Sequence, residues 1–423
     1  MVRMTVEAKG AKSGESVPAK WAGEMRYVAR QPILNAEGRV RGYELLFRSD
    51  PLVVSAGNGD MAARTMLDNA VLFGLERFTN GLPAFIRCSV EALTEQLVDV
   101  LVPRETVLGV PASLADTPKL VDACRALKAR GFRLALDDFC WNGNLEPLVR
   151  LADYIRVEFN RFGATEIEHL RRLKCDSIAR VAQKVETQED YQLAVARGFR
   201  LFQGSYICHP VLMKQRKVPA NRILHFEIVR ELHHDPIEVR RLGQLVMRDA
   251  SLTFRLLRLV NSPLYAIRQE LRSIESAMLM IGDDTLRRVI SLAVLSEMNS
   301  GQPPEILHMA LVRARFCELA ACPCGLDPNE QYLLGMFSLL PAMLGAPMEE
   351  LTPSLPLRAV VCAALEGTAN RERILLAWVE GHERGDWQAC DRIADGGGLR
   401  REELAARYTA SVVWAGEALH SSE

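Results

Sequence analysis

The stretch Pro118–Phe139, PKLVDACRALKARGFRLALDDF, joins a helix pattern to a strand pattern. Its first half places Leu120, Cys124 and Leu127 at helical spacing, which predicts one apolar helix face. Its second half is a short apolar run that ends in two aspartates, as in a buried strand with polar groups at its carboxyl end. A helix followed by a strand is the repeating unit of an α/β fold.

The same alternation extends through the first half of the chain and predicts eight strands with helices between them. Eight parallel strands with intervening helices indicate a (β/α)8 barrel. Such barrels typically need about 250 residues, so a span of about 190 requires short helices or loops. The predicted strands are Tyr27–Ile33, Gly42–Phe47, Ala84–Ser89, Thr106–Val110, Arg133–Phe139, Tyr154–Phe159, Ser177–Val181 and Leu201–Ile207.

The second half of the chain has a different pattern. After residue 209 the strand signals stop, and amphipathic helices such as the one with Leu286, Val289, Ile290 and Ala293 follow. A chain of 423 residues also exceeds one ordinary domain. We therefore predict an α/β barrel followed by an all-α domain. The predicted limits are a leader over 1–23, a barrel over 24–213, a linker over 214–222 and a helical domain over 223–423.

Composition limits the partners and the compartment. The 52 Lys and Arg residues nearly cancel the 53 Asp and Glu residues, so we expect neither nucleic acid nor a membrane as a partner. The ten cysteines are scattered, which fits free thiols in a reducing compartment. The first 20 residues lack the apolar core of a signal peptide, and no apolar run approaches about 18 residues. These features predict a cytoplasmic protein.

Acidic residues lie toward the ends of successive predicted strands, where a barrel places its active site. They are Glu44, Asp137, Asp138, Glu158 and Glu186. Carboxylates that converge on one barrel mouth are suitable ligands for magnesium or manganese. Each could instead cap a following helix or pair with a surface arginine, and the sequence pattern alone leaves both interpretations open.

Seven short motifs occur in order on the predicted strands: Glu44–Arg48 (ELLFR), Phe85–Ser89 (FIRCS), Val107–Val110 (VLGV), Leu136–Phe139 (LDDF), Asp153–Glu158 (DYIRVE), Val181–Thr187 (VAQKVET) and Phe202–Tyr206 (FQGSY). In this order they resemble the EAL-domain family of cyclic di-GMP phosphodiesterases over roughly residues 26–209. The opening motifs, Tyr27–Ile33 and Gly42–Arg48, look like the subfamily in which a diverged EAL domain precedes an HDOD domain.

The resemblance implies a metal-activated water that attacks a phosphodiester, with carboxylates and an asparagine as metal ligands and a lysine that assists the water. Glu44 and Asp137 match metal-ligand positions of the family. Asp138 and Glu186 match the adjacent acidic positions, and Arg48 matches an arginine that contacts the nucleotide.

Other positions depart from the family pattern. The departures are Arg87 for a ligand asparagine, Gly109 for a ligand glutamate, Gln183 for the glutamate of a late Ala-Glu-Gly motif, Arg156 for the catalytic lysine, and Glu158 for the aspartate that follows it. An arginine at position 156 keeps its proton and cannot become a base.

Arg87 is the more decisive change for metal binding. A unit charge repels a dication by roughly 8 kcal/mol at about 4 Å and an effective dielectric near 20. We therefore hypothesise that the Arg87 guanidinium replaces the metal by neutralising Glu44 or Asp137. We also expect Arg87 and Arg156 to face Glu44, Asp137 and Glu158 across the mouth.

Three stretches of the second half, Ser251–Tyr265, Ile274–Gly282 and Leu286–Ile290, resemble the HDOD family. This family is related to HD-type metal phosphohydrolases but lacks their metal-binding histidines and aspartates. Where the related enzymes carry a His-Asp pair, this chain has Ser338 and Leu339. The resemblance thus implies a metal-free helical domain.

We predict a non-catalytic effector or scaffold in cyclic di-GMP-linked regulation that acts through protein partners, without a metal or other cofactor and with vestigial catalytic positions at Glu44, Asp137 and Arg156. One alternative is a cyclic di-GMP phosphodiesterase with unusual ligands, which would use magnesium or manganese. Another is an interaction module that binds no nucleotide. The oligomeric state is left open. Candidate ligand-binding residues are Glu44, Arg48, Asp137, Asp138, Glu186 and Gln203.

Overall fold

The structure is a computed structural model of the 423-residue chain. It describes residues 28–47, 75–95, 97–112, 118–141, 143–173, 177–208, 220–232, 237–248, 252, 256, 283–299, 302–355 and 357–420. Arg48 and most of the first two HDOD-like stretches lie outside the described residues.

Eight strands form a closed barrel in sequence order, so the predicted barrel is confirmed. Strands β2 to β8 are parallel, because a helix or long connection carries the chain back between them. The strands are β1 Val28–Asn35, β2 Val40–Phe47, β3 Ala84–Arg87, β4 Thr106–Pro111, β5 Arg133–Asp137, β6 Tyr154–Glu158, β7 Ala179–Gln183 and β8 Leu201–Phe202.

The first strand corrects the prediction of eight parallel strands. β1 pairs antiparallel with both β2 and β8. The physical reason is the length of the turn after Asn35, because four residues allow a hairpin but not a parallel crossover. Gly38, with φ +73°, donates its N–H to the Asn35 carbonyl at 3.0 Å within this turn. The barrel therefore begins with a hairpin.

Four strands, β3, β5, β6 and β8, end earlier than predicted. β5 ends at Asp137, because Asp138 takes a left-handed conformation with φ +51°. β8 has only two residues, because the chain turns at Gly204. A Cβ at Gly204 would lie 1.9 Å from the Val185 carbonyl oxygen, so only glycine fits this approach.

Short helices cover the outside of the barrel, and apolar side chains fill its interior. Ile33, Phe85, Val107, Ala135 and Val181 form the interior layer, and each is at most 2% exposed. The helices are α1 Leu75–Thr79, α2 Val90–Thr94, α3 Pro118–Ala129, α4 Glu146–Val149, α5 Ala164–Arg172 and α6 Gln188–Ala196.

The remaining described elements are helical, as predicted for the second half. Helix α10 is the central one, with both apolar and charged residues buried along its length. The helices are α7 Ala220–Leu232, α8 Val239–Val246, α9 Asp283–Met298, α10 Pro304–Ala321, α11 Pro328–Phe337, α12 Leu340–Leu344, α13 Met348–Leu351, α14 Ala359–Leu365, α15 Ile374–Arg384, α16 Trp387–Gly397 and α17 Arg401–His420.

Helix α7 begins at Ala220, three residues before the predicted start of the helical domain. The leader and residues 209–219 lie outside the described residues, so the domain limits stay predictions. Among the described helices, none combines the length and the apolar character that crossing a membrane requires.

The β1–β2 hairpin packs directly against the helical half. Tyr43 donates its hydroxyl to Glu305 Oε2 at 2.8 Å, and the Arg30 guanidinium lies 4.4 Å above the Tyr43 ring. Arg30 also donates to the Phe78 carbonyl at 2.6 Å and lies 2.6 Å from His308 Nδ1. Both arginine and glutamate are about 4% exposed. A buried polar contact therefore joins the two halves at the antiparallel strands.

Candidate functional site

The guanidinium of Arg156 lies at the centre of the barrel mouth and is fully buried. Its Nη2 lies 2.5 Å from Glu44 Oε1, and its Nη1 donates to Asp137 Oδ1 at 3.0 Å. Nη2 also donates to Gln203 Oε1 at 3.3 Å. One cation thus bridges two carboxylates that the family resemblance assigns to metal binding.

The strands bring these side chains together from distant parts of the sequence. Glu44 comes from the middle of β2, Asp137 from the end of β5, and Arg156 from the middle of β6. Gln203 directly follows β8. The ring of Phe85, in the apolar interior layer, lies 5.9 Å from the Arg156 guanidinium. The charged residues therefore form the next layer above the barrel core.

Arg87 covers the outer side of this cluster. Its Nε donates to Glu44 Oε1 at 3.0 Å, and its Nη1 donates to Asp138 Oδ2 at 3.3 Å. The Arg87 side chain is 47% exposed, whereas the Glu44 side chain is 3% exposed. Arg87 does neutralise Glu44, but Arg156 is the buried cation between both carboxylates. The central place hypothesised for Arg87 is therefore taken by Arg156.

The two carboxyl groups respond differently to this environment. Burial opposes ionisation of Glu44, but Arg156 and Arg87 together lower its pKa to about 2. Burial raises the pKa of Asp137 to about 6 against the attraction of the same arginines, and the charge of Glu44 adds to this rise. Glu44 is therefore the principal counter-ion of the cluster, since both guanidinium groups contact it.

Gly109 explains how Asp137 reaches Arg156. A Cβ at position 109 would lie 2.3 Å from Asp137 Oδ2 and 3.1 Å from the Arg87 Cα. The aspartate carboxylate thus lies directly over the β4 backbone, in space that any larger residue would fill. The change to glycine at this family ligand position therefore favours the Asp137–Arg156 pair.

Glu158 corrects the expected arrangement. Instead of facing Arg87 or Arg156, it forms ion pairs with Lys184 and, at 2.9 Å, with Arg161. The reason is its place at the last position of β6, where the side chain reaches the rim beside β7. The pair with Lys184 lowers the pKa of Glu158.

The other candidate residues are divided between the cluster and the rim. Gln183 is 6% exposed at the end of β7. Asp138 is 67% exposed and lies at the rim, where it pairs with Arg87. Glu186 is exposed before α6, where its backbone N–H donates to Asp190 at 3.1 Å. Arg48 lies outside the described residues and is not placed.

Sequence reasoning missed two residues of this region. Gln31 of β1 accepts a hydrogen bond from Gln203 at 2.8 Å, and it lies opposite Glu44 in the β1–β2 register. Lys184 has φ +58° at the position that matches the glycine of the Ala-Glu-Gly motif. A lysine in place of a motif glycine was a usable sequence signal, but the partner of Gln31 depends on an antiparallel pairing that was not predicted.

The cluster does not fit a divalent cation. A dication beside Glu44 and Asp137 would have to displace a fully buried guanidinium that already lies at 2.5 and 3.0 Å from their oxygens. In the described part of the chain, no group of three or more acidic, histidine or cysteine residues has metal-binding geometry. The mouth therefore fixes the charged groups of Glu44, Asp137 and Arg156. The exposed polar groups at its rim, such as that of Arg87, are positioned to form hydrogen bonds with a ligand.

Comparison with known proteins finds a family model for part of the helical half and relatives of nearly the whole chain. Residues 219–338 match the HDOD domain family. The uncharacterized protein YuxH of Bacillus subtilis is 31% identical over 402 residues, which cover 92% of this chain and 97% of YuxH. The chain belongs to the EAL–HDOD family.

Other matches come from the same family and from solved EAL structures. The cyclic di-GMP phosphodiesterase CdgJ of Vibrio cholerae is 33% identical over 380 residues, which cover 86% of this EAL–HDOD chain and 87% of CdgJ. BlrP1 of Klebsiella pneumoniae, solved as a calcium and cyclic di-GMP complex, is 26% identical. That match covers 43% of this chain and 55% of BlrP1, with a TM-score of 0.36.

Proposed function

We propose that this EAL–HDOD protein is a non-catalytic effector or scaffold in cyclic di-GMP-linked regulation, acting through protein partners. The observation that carries the proposal is the place of Arg156, whose buried guanidinium bridges Glu44 and Asp137. A permanent cation stands where a hydrolytic member of the family would hold a metal ion.

Two physical reasons support the absence of hydrolysis. At about 4 Å a unit cation repels a dication by roughly 8 kcal/mol at an effective dielectric near 20, and Arg156 and Arg87 both contact Glu44. Arg156 also replaces the lysine that would assist the water, and a guanidinium keeps its proton at any working pH. The described part of the barrel mouth therefore offers neither a free metal site nor, at position 156, a base.

The open rim of the mouth supports binding. Arg87 is half-exposed, and Asp138 and Lys184, which directly follow β5 and β7, both have positive φ. Such strained residues cost of order 1–3 kcal/mol each and are concentrated at functional sites. A nucleotide phosphate could pair with Arg87 without a metal ion, and the helical domain would carry the signal to a protein partner.

The rival function is cyclic di-GMP hydrolysis with unusual ligands. It is favoured by one observation, the 33% identity to a protein named as a cyclic di-GMP phosphodiesterase. It would need magnesium or manganese at the mouth and a rearrangement that moves Arg156 away from Glu44.

Turnover separates the two functions. Purified protein is incubated with cyclic di-GMP and magnesium or manganese, and the linear product is measured by chromatography. We expect no product above that of the Glu44→Gln variant. Product formation that disappears in Glu44→Gln would overturn the proposal and establish the rival.

Calorimetry with cyclic di-GMP, with and without metal, tests the binding part. We expect metal-independent binding that weakens in Arg87→Met. The absence of binding under both conditions would leave the third function, an interaction module that takes no nucleotide.

A further inference from the structure

A second buried ion cluster lies in the helical domain. Arg313 of α10, whose side chain is 7% exposed, donates from Nη2 to Glu383 Oε2 at 2.6 Å. Its Nη1 donates to Ser338 Oγ at 3.1 Å, and Glu380 Oε1 lies 3.7 Å from the same nitrogen. We call Arg313, Ser338, Glu380 and Glu383 the helical cluster. Ser338 is the residue that replaces a metal-binding position in the HD resemblance.

Its counterpart in the barrel is the mouth cluster, defined as Glu44, Arg87, Asp137, Arg156 and Gln203.

A short chain of hydrogen bonds joins the two clusters. The Gln203 Nε2 group donates to Glu44 Oε2 and to Gln31 Oε1, the latter at 2.8 Å. Gln31 Nε2 donates in turn to the main-chain carbonyl of Glu383 at 3.0 Å. Glu383 therefore takes part twice, since its carbonyl accepts from the barrel and its carboxylate accepts from Arg313.

The orientation of the Gln31 amide is fixed from both sides. Its oxygen must face the Gln203 NH₂ group, and its nitrogen must face a carbonyl oxygen. A flipped amide would place two donors together at one end and two acceptors together at the other. Gln31 is half-buried, so losing either partner removes a hydrogen bond and leaves a polar group that solvent satisfies only in part. A displacement of Gln203 therefore changes the hydrogen bond that the Gln31 amide donates to the Glu383 carbonyl.

We propose that Gln31 couples the two clusters, so that a change in the hydrogen bonds of the mouth cluster changes the local stability of the C-terminal end of α15. The inference rests on the proposed function, since it names the route by which the barrel regulates the helical domain. In it, Gln31 is a positioning residue that acts through Gln203 and Glu383.

Hydrogen–deuterium exchange of residues 374–385 tests the coupling without any nucleotide. Glu44→Gln keeps the size of the side chain but weakens the acceptor that holds Gln203. We expect exchange at the end of α15 to rise by at least about threefold in Glu44→Gln, as in a local opening equilibrium. In a Gln31→Met background the same Glu44→Gln change should add no further rise.

Tyr43→Phe provides the matched control, because it removes a hydrogen bond between the same hairpin and α10 but leaves Gln31 in place. In this background the response to Glu44→Gln should remain. The proposal is overturned by equal responses with and without Gln31, by no response in the otherwise unchanged protein, or by loss of the response in Tyr43→Phe. Failure of cyclic di-GMP to bind would contradict the proposed function but would leave this result unchanged.

Discussion

The mouth cluster and the helical cluster use the same chemistry in different surroundings. Each has a buried arginine between two carboxylates, with Arg156 against Glu44 and Asp137, and Arg313 against the two glutamates of α15. In the mouth the outer cation, Arg87, is 47% exposed. Beside the helical cluster, Arg373 donates to Glu380 Oε2 at 2.9 Å and is 21% exposed. Among the described residues, a guanidinium thus balances the carboxylates of both clusters, but the outer cation is more exposed in the barrel than in the helical half.

The largest expected effect is the removal of the central cation of the mouth. Arg156→Met leaves two buried carboxylates without their shared partner, and breaking a buried ion pair in this way costs about 3–5 kcal/mol. Urea denaturation at pH 7 measures the loss. Arg87→Asn is the matched variant, and its effect should stay below about 1 kcal/mol because solvent screens a half-exposed pair. Equal losses would show that the two arginines are equivalent.

The helical cluster depends on a close backbone contact instead. A Cβ at Gly335 of α11 would lie 2.4 Å from the Arg313 carbonyl oxygen. Gly335→Ala should therefore separate α10 from α11 and destabilise the fold by about 1–3 kcal/mol, as overpacking does. Thermal unfolding checks the loss. Gly396→Ala, at an open position on α16, is the control and should have little effect. An unchanged melting temperature in Gly335→Ala would contradict the contact.

The pH dependence distinguishes the two carboxyl groups of the mouth. The pKa of Asp137 in the folded state, about 6, lies above its ordinary value of 3.8. The folded state therefore holds this proton more tightly, and stability falls as the pH rises from about 4 to 6. Asp137→Asn should remove this fall and flatten the stability profile in that window, as measured by urea denaturation. An unchanged slope would show that the pKa of Asp137 is not raised.

The contribution of Glu44 to stability changes with pH in the opposite direction. Its pKa of about 2 lies below the ordinary 4.5, so its contribution to stability is complete above pH 4.5 and disappears as the pH falls through 2. The destabilisation caused by Glu44→Gln should accordingly be largest near neutral pH and shrink on acidification. A destabilisation that stays constant between pH 7 and pH 3 would contradict the assignment.

The smallest expected effect concerns the rim. Lys184→Gly relieves a left-handed conformation, which costs an ordinary residue roughly 1–2 kcal/mol, but it removes the ion pair with Glu158 and adds chain entropy to the unfolded state. We expect a net change in unfolding free energy below about 1 kcal/mol. Lys184→Ala, which loses the ion pair but keeps the strain, should be less stable than Lys184→Gly. The reverse order would indicate that the backbone at position 184 is not strained.

Much of the barrel could be predicted from the sequence, because β2 to β7 are set by local alternation of apolar strands and amphipathic helices. The direction of β1 could not, since it depends on how a four-residue turn pairs the strands. The sequence predicts Glu44 and Asp137 at one mouth because both belong to predicted barrel strands. The role of Gln31 could not be predicted, because its partners are Gln203, just after β8, and Glu383 of α15, which is 352 residues away.

Manganese binding measured by electron paramagnetic resonance tests the central claim, that the Arg156 guanidinium replaces the metal ion. The account predicts no stoichiometric manganese binding at the mouth, with or without cyclic di-GMP, and the same result for Arg87→Asn because Arg156 remains. A bound ion that is lost in Glu44→Gln would contradict the account.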